Sequence, residues 1–314
     1  MKYVLAPLAG FTDAPFRRMC GEWGADLAYT EMVSAAGLAH GSSPTRHLME
    51  KMDGEGPLAC QIFGSNEADV AYASREIEAV RGNFVELNLN AGCPMTKVTR
   101  CGAGAKLAED PAKIYRLVKA MKENTSLPVT LKTRLGPHPG STTVFEILDA
   151  VESAGAEGIT VHARYTSQMH GGEVHFDVLS EVVSRAKIPV TGNGSVTDRK
   201  TAAAFAALGV DAVMVGRAAL ADPAVFARLK GAEGGDKGEF VRRHLKYLLE
   251  FRNLLARKFP GDHIPSEDGF ASVKMHVHLF RYFNARPGAA ALRAKLNSVR
   301  TLEEIRQLIN SAGL

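Results

Sequence analysis

The chain has 314 residues, of which 46% are hydrophobic and 23% are charged. This composition is that of an ordinary globular protein and excludes a disordered chain. No hydrophobic run approaches the ~20 residues needed to span a bilayer, and the apolar stretch after Lys2 is too short for a signal peptide. We therefore expect a cytoplasmic protein of one or two domains that does not associate with membranes.

The net charge of +4 is unevenly distributed along the chain. Residues 238–314 contain 13 lysines and arginines against 7 aspartates and glutamates, a net charge of +6, whereas residues 1–237 contain 25 against 27, a net charge of −2. A basic C-terminal segment on a slightly acidic body indicates a polyanionic partner. A solvated helical surface with surplus cations explains the same charge equally well.

The four cysteines are Cys20, Cys60, Cys93 and Cys101, and no two of them form a CxxC pair. This spacing argues against a zinc ribbon or an iron–sulfur site of neighbouring thiols, and the cysteines are too few for a disulfide scaffold. We therefore expect reduced thiols and no metal site.

Short β-rich apolar runs alternate with helical patterns from residue 1 to about residue 220. The predicted strands are 3–6, 27–30, 58–63, 84–89, 129–132, 158–162, 190–192 and 212–215. Helical periodicity predicts helices at 68–80, 111–123, 143–153 and 198–208. Asn66 and Asp110 are suitable N-cap residues for the first two. Eight βα units in this length predict an α/β fold, a closed (β/α)8 barrel. An open doubly wound sheet remains the alternative, but residues 7–10 are not its usual glycine-rich loop.

A glycine-rich segment at residues 231–238 separates this pattern from a C-terminal region without strand signals. Helices are predicted there at 239–258, 266–284, 287–297 and 302–312. We therefore predict two domains, a (β/α)8 barrel over residues 1–235 and a small all-helical domain over residues 236–314. The absence of a heptad seam predicts a monomer.

In a (β/α)8 barrel the reactive residues lie at the C-terminal ends of the strands. Seven predicted strands end in polar or glycine-bearing sequences, at residues 7–10, 61–64, 88–94, 132–134, 162–164, 193–195 and 216–217. A single histidine or lysine at a strand end is more often structural. Because seven strands all end in such residues, we predict that these residues surround a single active-site mouth.

The turns after the last two predicted strands contain Gly194 and Gly216, in the position of the usual phosphate site of this barrel class. Glycine allows backbone N–H groups to approach an anion closely, and Arg217 can add a bidentate contact. These turns predict a phosphorylated ligand, unless they are only tight connections.

Cys93 lies between Gly92 and Pro94 just after a predicted strand, which would present its thiol at the mouth. The other three cysteines are expected to be small buried hydrophobic residues.

Several motifs together resemble those of the tRNA-dihydrouridine synthases over about residues 3–220. The most specific is Asn-x-Gly-Cys-Pro-x-x-Lys-Val at residues 90–98. Further matching segments are 6–13, 61–64, 102–105, 132–134, 160–164, 192–194 and 215–218.

The resemblance implies a flavin-binding (β/α)8 barrel, a helical domain that binds tRNA, and reduction of selected uridines to 5,6-dihydrouridine with FMN and NADPH. It implies cofactor contacts for Pro7, Leu8, Ala9, Gln61, Lys132, His162, Asn193, Gly194, Ser195, Gly216 and Arg217. It implies substrate-side roles for Asn90, Arg134 and Arg164, with Asn90 orienting the flavin or the uracil. Hydride would pass from flavin N5 to uracil C6, and Cys93 would be the general acid at C5.

Two other functions remain open at this point. A flavin barrel acting on a free pyrimidine, like a dihydroorotate dehydrogenase, would share the barrel and phosphate site but would not need a basic helical tail. A non-catalytic RNA-binding barrel would hold no flavin. Tyr165, Thr166 and His170 depart from the family pattern in a loop expected to contact tRNA, so no particular uridine is predicted.

Overall fold

The computed structural model describes residues 1–283 and 288–314. Its strands are β1 (Lys2–Leu5), β2 (Leu27–Tyr29), β3 (Val33–Ser34), β4 (Leu58–Phe63), β5 (Glu86–Ala91), β6 (Val129–Arg134), β7 (Gly158–His162), β8 (Val190–Asn193) and β9 (Ala212–Val215). All strand pairs are parallel; β1 pairs with both β2 and β9, and β2 pairs with β4. Eight strands therefore close into a barrel, with the short β3 paired to β4 beside it. The predicted (β/α)8 barrel is confirmed.

All eight predicted strands are present, with shifted ends in several of them. β5 begins at Glu86 and continues to Ala91, and β6 continues to Arg134, so both strands extend further toward the mouth than predicted. The sequence did not predict β3, because two residues are too few to show a period-2 alternation.

The helices of the barrel region are α1 (Ala14–Glu22), α2 (Ala35–Ala39), α3 (Ser43–His47), α4 (Glu67–Ala79), α5 (Thr96–Thr99), α6 (Pro111–Lys122), α7 (Val144–Ser153), α8 (Phe176–Arg185), α9 (Arg199–Ala206), α10 (Arg217–Ala221) and α11 (Val225–Leu229). The four predicted helices correspond to α4, α6, α7 and α9. Their N-termini follow side-chain caps where predicted, since Asn66 accepts a hydrogen bond from the Asp69 N–H and Asp110 accepts one from the Lys113 N–H.

The C-terminal region folds into α12 (Lys237–Lys258), α13 (Glu267–Tyr282), α14 (Ala289–Leu296) and α15 (Leu302–Ser311). The predicted end at residue 284 and the predicted start at residue 287 lie outside the described residues. α12 begins two residues earlier than predicted because the Asp236 side chain caps it. No helix in the described part of the chain is both long and apolar enough to cross a membrane.

Two large hydrophobic clusters lie on either side of α1. The first joins the barrel strands to the surrounding helices. The second joins α12–α15 to Ala14, Met19 and Met52 of the barrel region. The helical region therefore buries apolar surface against the barrel as well as within itself. The domain boundary after residue 235 stays a prediction.

Alternate residues of the strands fill the inside of the barrel, as the pleat of a closed sheet requires. An inner cluster contains Val4, Ala6, Tyr29, Ala59, Ala212 and Met214. The period of two continues along the strands, so the inner positions nearest their C-terminal ends are the polar residues predicted for the site.

Candidate functional site at the mouth of the barrel

Five polar side chains on consecutive strands surround the mouth. They are Gln61 on β4, Asn90 on β5, Lys132 on β6, His162 on β7 and Asn193 on β8. Asn90 is registered opposite Lys132, and His162 opposite Asn193. The parallel register therefore brings together residues up to 132 positions apart in the sequence.

A chain of carboxamides fixes the inner face of β4 and β5. The Asn90 Nδ2 donates to Gln61 Oε1 at 2.8 Å, and the Gln61 Nε2 donates to Asn88 Oδ1 at 2.7 Å. Asn88 Nδ2 in turn donates to Thr130 Oγ1 at 2.6 Å. Asn88 was not among the predicted site residues, although its position two residues before Asn90 places both on one face of the strand.

The loop that carries Cys93 is held from two sides. Asn90 Oδ1 accepts hydrogen bonds from the backbone N–H groups of Gly92 at 3.1 Å and Cys93 at 2.9 Å. The Cys93 carbonyl accepts one from the Ala105 N–H at 2.9 Å. The Cys93 side chain is half-buried. A partly accessible thiol thus stands on a backbone with a defined position.

Gly104 allows the close approach behind this loop. Its φ is +60°, and a Cβ placed there would lie 2.6 Å from the Cys93 carbonyl oxygen and 2.8 Å from Val98 Cγ1. The 102–105 segment contributed to the family resemblance, but only the folded chain shows that Gly104 supports Cys93.

Lys132 reaches across the inner face of the barrel to β8. Its Nζ donates to Asn193 Oδ1 at 3.3 Å, and Asn193 Nδ2 donates to the Met214 carbonyl at 2.9 Å. Burial, with a further contribution from the positive charge of Arg134, lowers the pKa of Lys132 to about 7. An anion bound beside Lys132 would favour its protonated form.

Arg164 joins the ends of β7 and β8. Its Nη1 donates to His162 Nε2 at 3.3 Å and its Nη2 donates to Ser195 Oγ at 2.8 Å. Burial and then the surrounding cations, with Lys132 first among them, hold the pKa of His162 well below its usual value. Ser195 has a φ of 50°, and Gly194 before it has a φ of 148° that disfavours side chains with a Cβ. In this turn Gly194 is buried and Ser195 is exposed.

Arg134 is only 2% exposed and is bound to backbone carbonyls. Its Nε donates to Gly92 at 2.9 Å and its Nη1 donates to Tyr165 at 3.2 Å. Arg134 therefore braces the Cys93 loop against the loop after β7. Its predicted contact with substrate remains a prediction.

The remaining predicted site residues lie in the loops after β1 and β9. Leu8 is fixed by a hydrogen bond from its N–H to Thr12 Oγ1 at 3.0 Å, with half-buried Pro7 before it and exposed Ala9 after it. A Cβ placed on Gly216 would lie 4.0 Å from Leu8 Cδ2, so the two loops are neighbours. Arg217 Nη2 donates to the His170 carbonyl at 3.1 Å.

The mouth carries an excess of positive charge. Among the described residues, no carboxylate forms an ion pair with Lys132, Arg134, Arg164 or Arg217. Burial followed by repulsion from neighbouring cations lowers the pKa values of Arg164 and His170. Guanidinium groups, an ammonium group and the backbone N–H groups of glycine-bearing turns form a donor set that fits a phosphate.

The other cysteines differ from one another. Cys20 and Cys60 are buried as predicted, and burial raises the pKa of Cys60 to about 12. The prediction that Cys101 is buried is wrong: it is exposed, because it lies in the turn just after the short α5.

The fold is a parallel (β/α)8 barrel whose polar and cationic side chains gather at the C-terminal ends of the strands. The fold is similar to that of morphinone reductase, with a TM-score of 0.54 at 15% identity, over 75% of this chain and 87% of that one. The chain belongs to the dihydrouridine synthase family, whose profile matches residues 4–312.

Individual relatives support the same assignment. The chain is 35% identical to tRNA-dihydrouridine synthase B of Escherichia coli (strain K12) over 230 residues, 73% of this chain and 71% of the relative. A probable tRNA-dihydrouridine synthase of Treponema pallidum is 34% identical over 236 residues, 72% of this chain and 69% of the relative. A probable tRNA-dihydrouridine synthase 1 of Synechocystis is 29% identical, with 99% of this chain and 86% of the relative covered.

Proposed function

We propose that this enzyme reduces specific uridines of tRNA to 5,6-dihydrouridine, with FMN as cofactor and NADPH as electron donor. The observation that carries the proposal is a cluster of cations that, among the residues the structure describes, have no carboxylate partner and lie beside glycine-bearing turns in a member of this family. The relatives' names supply the substrate class.

The residues present fit FMN. Arg164, Arg217 and Ser195, with the backbone of Gly194 and Gly216, would hold the phosphate. Lys132 and Gln61 would contact the polar edge of the ring, and His162 and Asn193 would contact the ribityl chain. Pro7, Leu8 and Ala9 would lie against the ring face. When bound, FMN supplies the hydride.

Cys93 is the proposed acid. Reduction across the C5–C6 bond of uracil adds a proton at C5, and the Cys93 thiol would deliver it. Asn90 holds the backbone N–H of Cys93 at 2.9 Å and so positions the thiol. Because the target base must leave its stack to enter the barrel mouth, the enzyme would bind tRNA with the uridine flipped out.

The function is tested by incubating the purified chain with FMN, NADPH and an unmodified tRNA transcript, and measuring dihydrouridine by nucleoside mass spectrometry. Dihydrouridine at defined positions is expected. Free uracil and uridine are tested in parallel. Equal turnover of these would favour the free-pyrimidine alternative, and failure to retain FMN would favour a non-catalytic barrel. Analysis of tRNA from a deletion strain then identifies the positions.

The pKa of Lys132 predicts a pH dependence of FMN binding. A hydrogen bond from protonated Lys132 to an acceptor of the flavin ring raises this pKa above its free value of about 7, so Lys132 contributes fully to affinity below pH 7 and progressively less as pH rises above it. Lys132→Met is expected to weaken FMN binding ~10-fold, as loss of a charged hydrogen bond does, and to flatten the profile between pH 7 and 9. Titration of the apoprotein with FMN measures both effects. Exposed Lys187→Met is the control, and equal affinities and profiles for both variants would contradict the assignment.

We predict that Arg281 of the helical region contacts the tRNA backbone. It lies on α13, with its guanidinium carbon 5.7 Å from the ring centroid of Phe11 in the loop after β1. If Arg281 contacts one phosphate, Arg281→Gln should weaken tRNA binding and reduce the slope of log K against log salt by ~0.9. Lys187→Gln is the matched control, because Lys187 precedes β8 and so lies at the opposite end of the barrel. Unchanged slopes for both variants would place the tRNA elsewhere.

A further inference from the structure

A second polar cluster lies away from the mouth, between the barrel and the helical region. It consists of Asp13 at the start of α1, His244 on α12 and His278 on α13. One nitrogen or oxygen from each residue lies within 4.8 Å of the others. The three residues are 5%, 0% and 0% exposed, so water does not reach them freely. The cluster joins α1 of the barrel region to the two consecutive helices α12 and α13 of the C-terminal region.

Each of the three residues has a buried polar atom with no hydrogen-bond partner among residues 1–283 and 288–314. These atoms are Asp13 Oδ2, His244 Nε2 and both ring nitrogens of His278. Buried polar atoms are almost always satisfied in folded proteins, because leaving one unpaired is costly. Four such atoms in one place indicate that something absent from the protein chain satisfies them.

The partners of the other atoms orient the cluster. Asp13 Oδ1 accepts a hydrogen bond from the Phe16 N–H at 3.2 Å, which leaves Oδ2 directed elsewhere. His244 Nδ1 lies 2.9 Å from the Tyr282 hydroxyl, which leaves Nε2 free. The rings of His244 and His278 lie edge to face, with their centroids 4.4 Å apart.

The charges around the cluster can accommodate a cation. Lys274 Nζ lies 3.7 Å from Asp13 Oδ2 and 3.9 Å from Glu31 Oε1. Arg17 is paired with Glu55 at 2.9 Å. Two carboxyl groups therefore share the single Lys274 ammonium. Lys274 can remain on Glu31 when Asp13 takes another partner.

We propose that Asp13, His244 and His278 form a binding site for one zinc-class divalent cation that joins α12 and α13 to the barrel. Two imidazole nitrogens and a carboxylate oxygen are ligands that Zn²⁺ accepts readily, with water in the remaining position. A cavity of about 160 Å³ borders the Asp13 side of the cluster and is also lined by Glu31 and Lys274.

The geometry requires only small movements. Three atoms at the corners of a 4.8 Å triangle lie about 2.8 Å from its centre, whereas zinc ligands lie about 2.0–2.2 Å from the metal. Inward shifts of about 0.7 Å complete the site. The expectation of no metal considered only cysteine spacing, and it could not detect ligands from three separate elements.

The test uses the full chain with any affinity tag removed. The protein is first stripped of metal with a chelator, which is then removed. It is mixed with Zn²⁺, passed through gel filtration, and analysed for zinc content and melting temperature. The parent chain is expected to retain one zinc per chain and to melt at a higher temperature with zinc than without it. These measurements are independent of tRNA reduction, so the proposed function can fail while this site holds, or the reverse.

Two variants and one control locate the site. Asp13→Asn can keep the hydrogen bond from the Phe16 N–H, and His278→Phe keeps an aromatic ring beside Phe16. Each should weaken zinc binding at least 10-fold and abolish the thermal shift, whereas His276→Ala, also on α13, should match the parent. Absence of zinc from the parent chain would overturn the proposal, since buried water would then satisfy these atoms. Equal retention by all four chains would overturn it as well.

Discussion

Cys93→Ala is expected to retain FMN and to be reduced by NADPH at a near-normal rate, but to lose 10²–10⁴-fold in reoxidation by unmodified tRNA. Only the delivery of a proton to C5 uses the thiol, and a general acid typically contributes ~10²–10⁴-fold. The network that supports Cys93 acts through its backbone, so removal of the side chain leaves Asn90 and Ala105 in place. Single-turnover flavin absorbance, with NADPH and then with tRNA, separates the two half-reactions.

Cys101→Ala is the matched control for this prediction. Cys101 is exposed and eight residues further along the chain, with its Sγ 3.7 Å from the Lys97 carbonyl. Its loss should leave both half-reactions unchanged. If Cys93→Ala reoxidised within a few-fold of the parent, the acid would be another group, and His162 or His170 would be tested next.

Gly104→Ala is expected to reduce tRNA-dependent reoxidation by ~10²-fold although residue 104 carries no reactive group. An added Cβ would lie 2.6 Å from the Cys93 carbonyl oxygen, so the Cys93 backbone must move. A displacement of ~1 Å at a reacting group can cost ~10²-fold in rate. The free energy of unfolding should also fall, by ~1–3 kcal/mol for overpacking and by ~1–2 kcal/mol for the positive φ.

Gly102→Ala is the control that introduces backbone strain without the steric clash expected in Gly104→Ala. Gly102 has a φ of +70°, close to the +60° of Gly104, but its added Cβ would meet nothing closer than Ser65 Oγ at 3.4 Å. This variant should lose only the ~1–2 kcal/mol of backbone strain and keep its activity. Denaturant unfolding and single-turnover kinetics of both variants provide the comparison. Equal rates for the two would show that Gly104 does not position Cys93.

The barrel could be predicted because its determinants are local. The alternation of apolar and polar residues, the caps at Asn66 and Asp110, and the glycine-rich segment before α12 each specify an element within a few residues. Strand ends shifted because the extension of β5 to Ala91 depends on pairing with β6, which is a contact between distant segments.

The same distinction between local and long-range determinants applies to the site. Residue types at the strand ends, including Lys132, His162 and Cys93, are visible in the sequence, because parallel strands in a barrel place their C-terminal ends at one edge. The contacts between them are not visible. Arg134 could not be recognised as a brace, since its partners Gly92 and Tyr165 lie 42 and 31 residues away.

The sequence by itself determined the (β/α)8 barrel, its mouth and the basic helical region, because periodicity, turn chemistry and charge are properties of short segments. Only the tertiary structure decided which side chains meet. It brought Gly104 behind Cys93, left four cations at the mouth with no carboxylate partner in the described part of the chain, and placed Asp13 beside His244 and His278. These arrangements depend on packing between distant elements, where each neighbour is set by the whole fold.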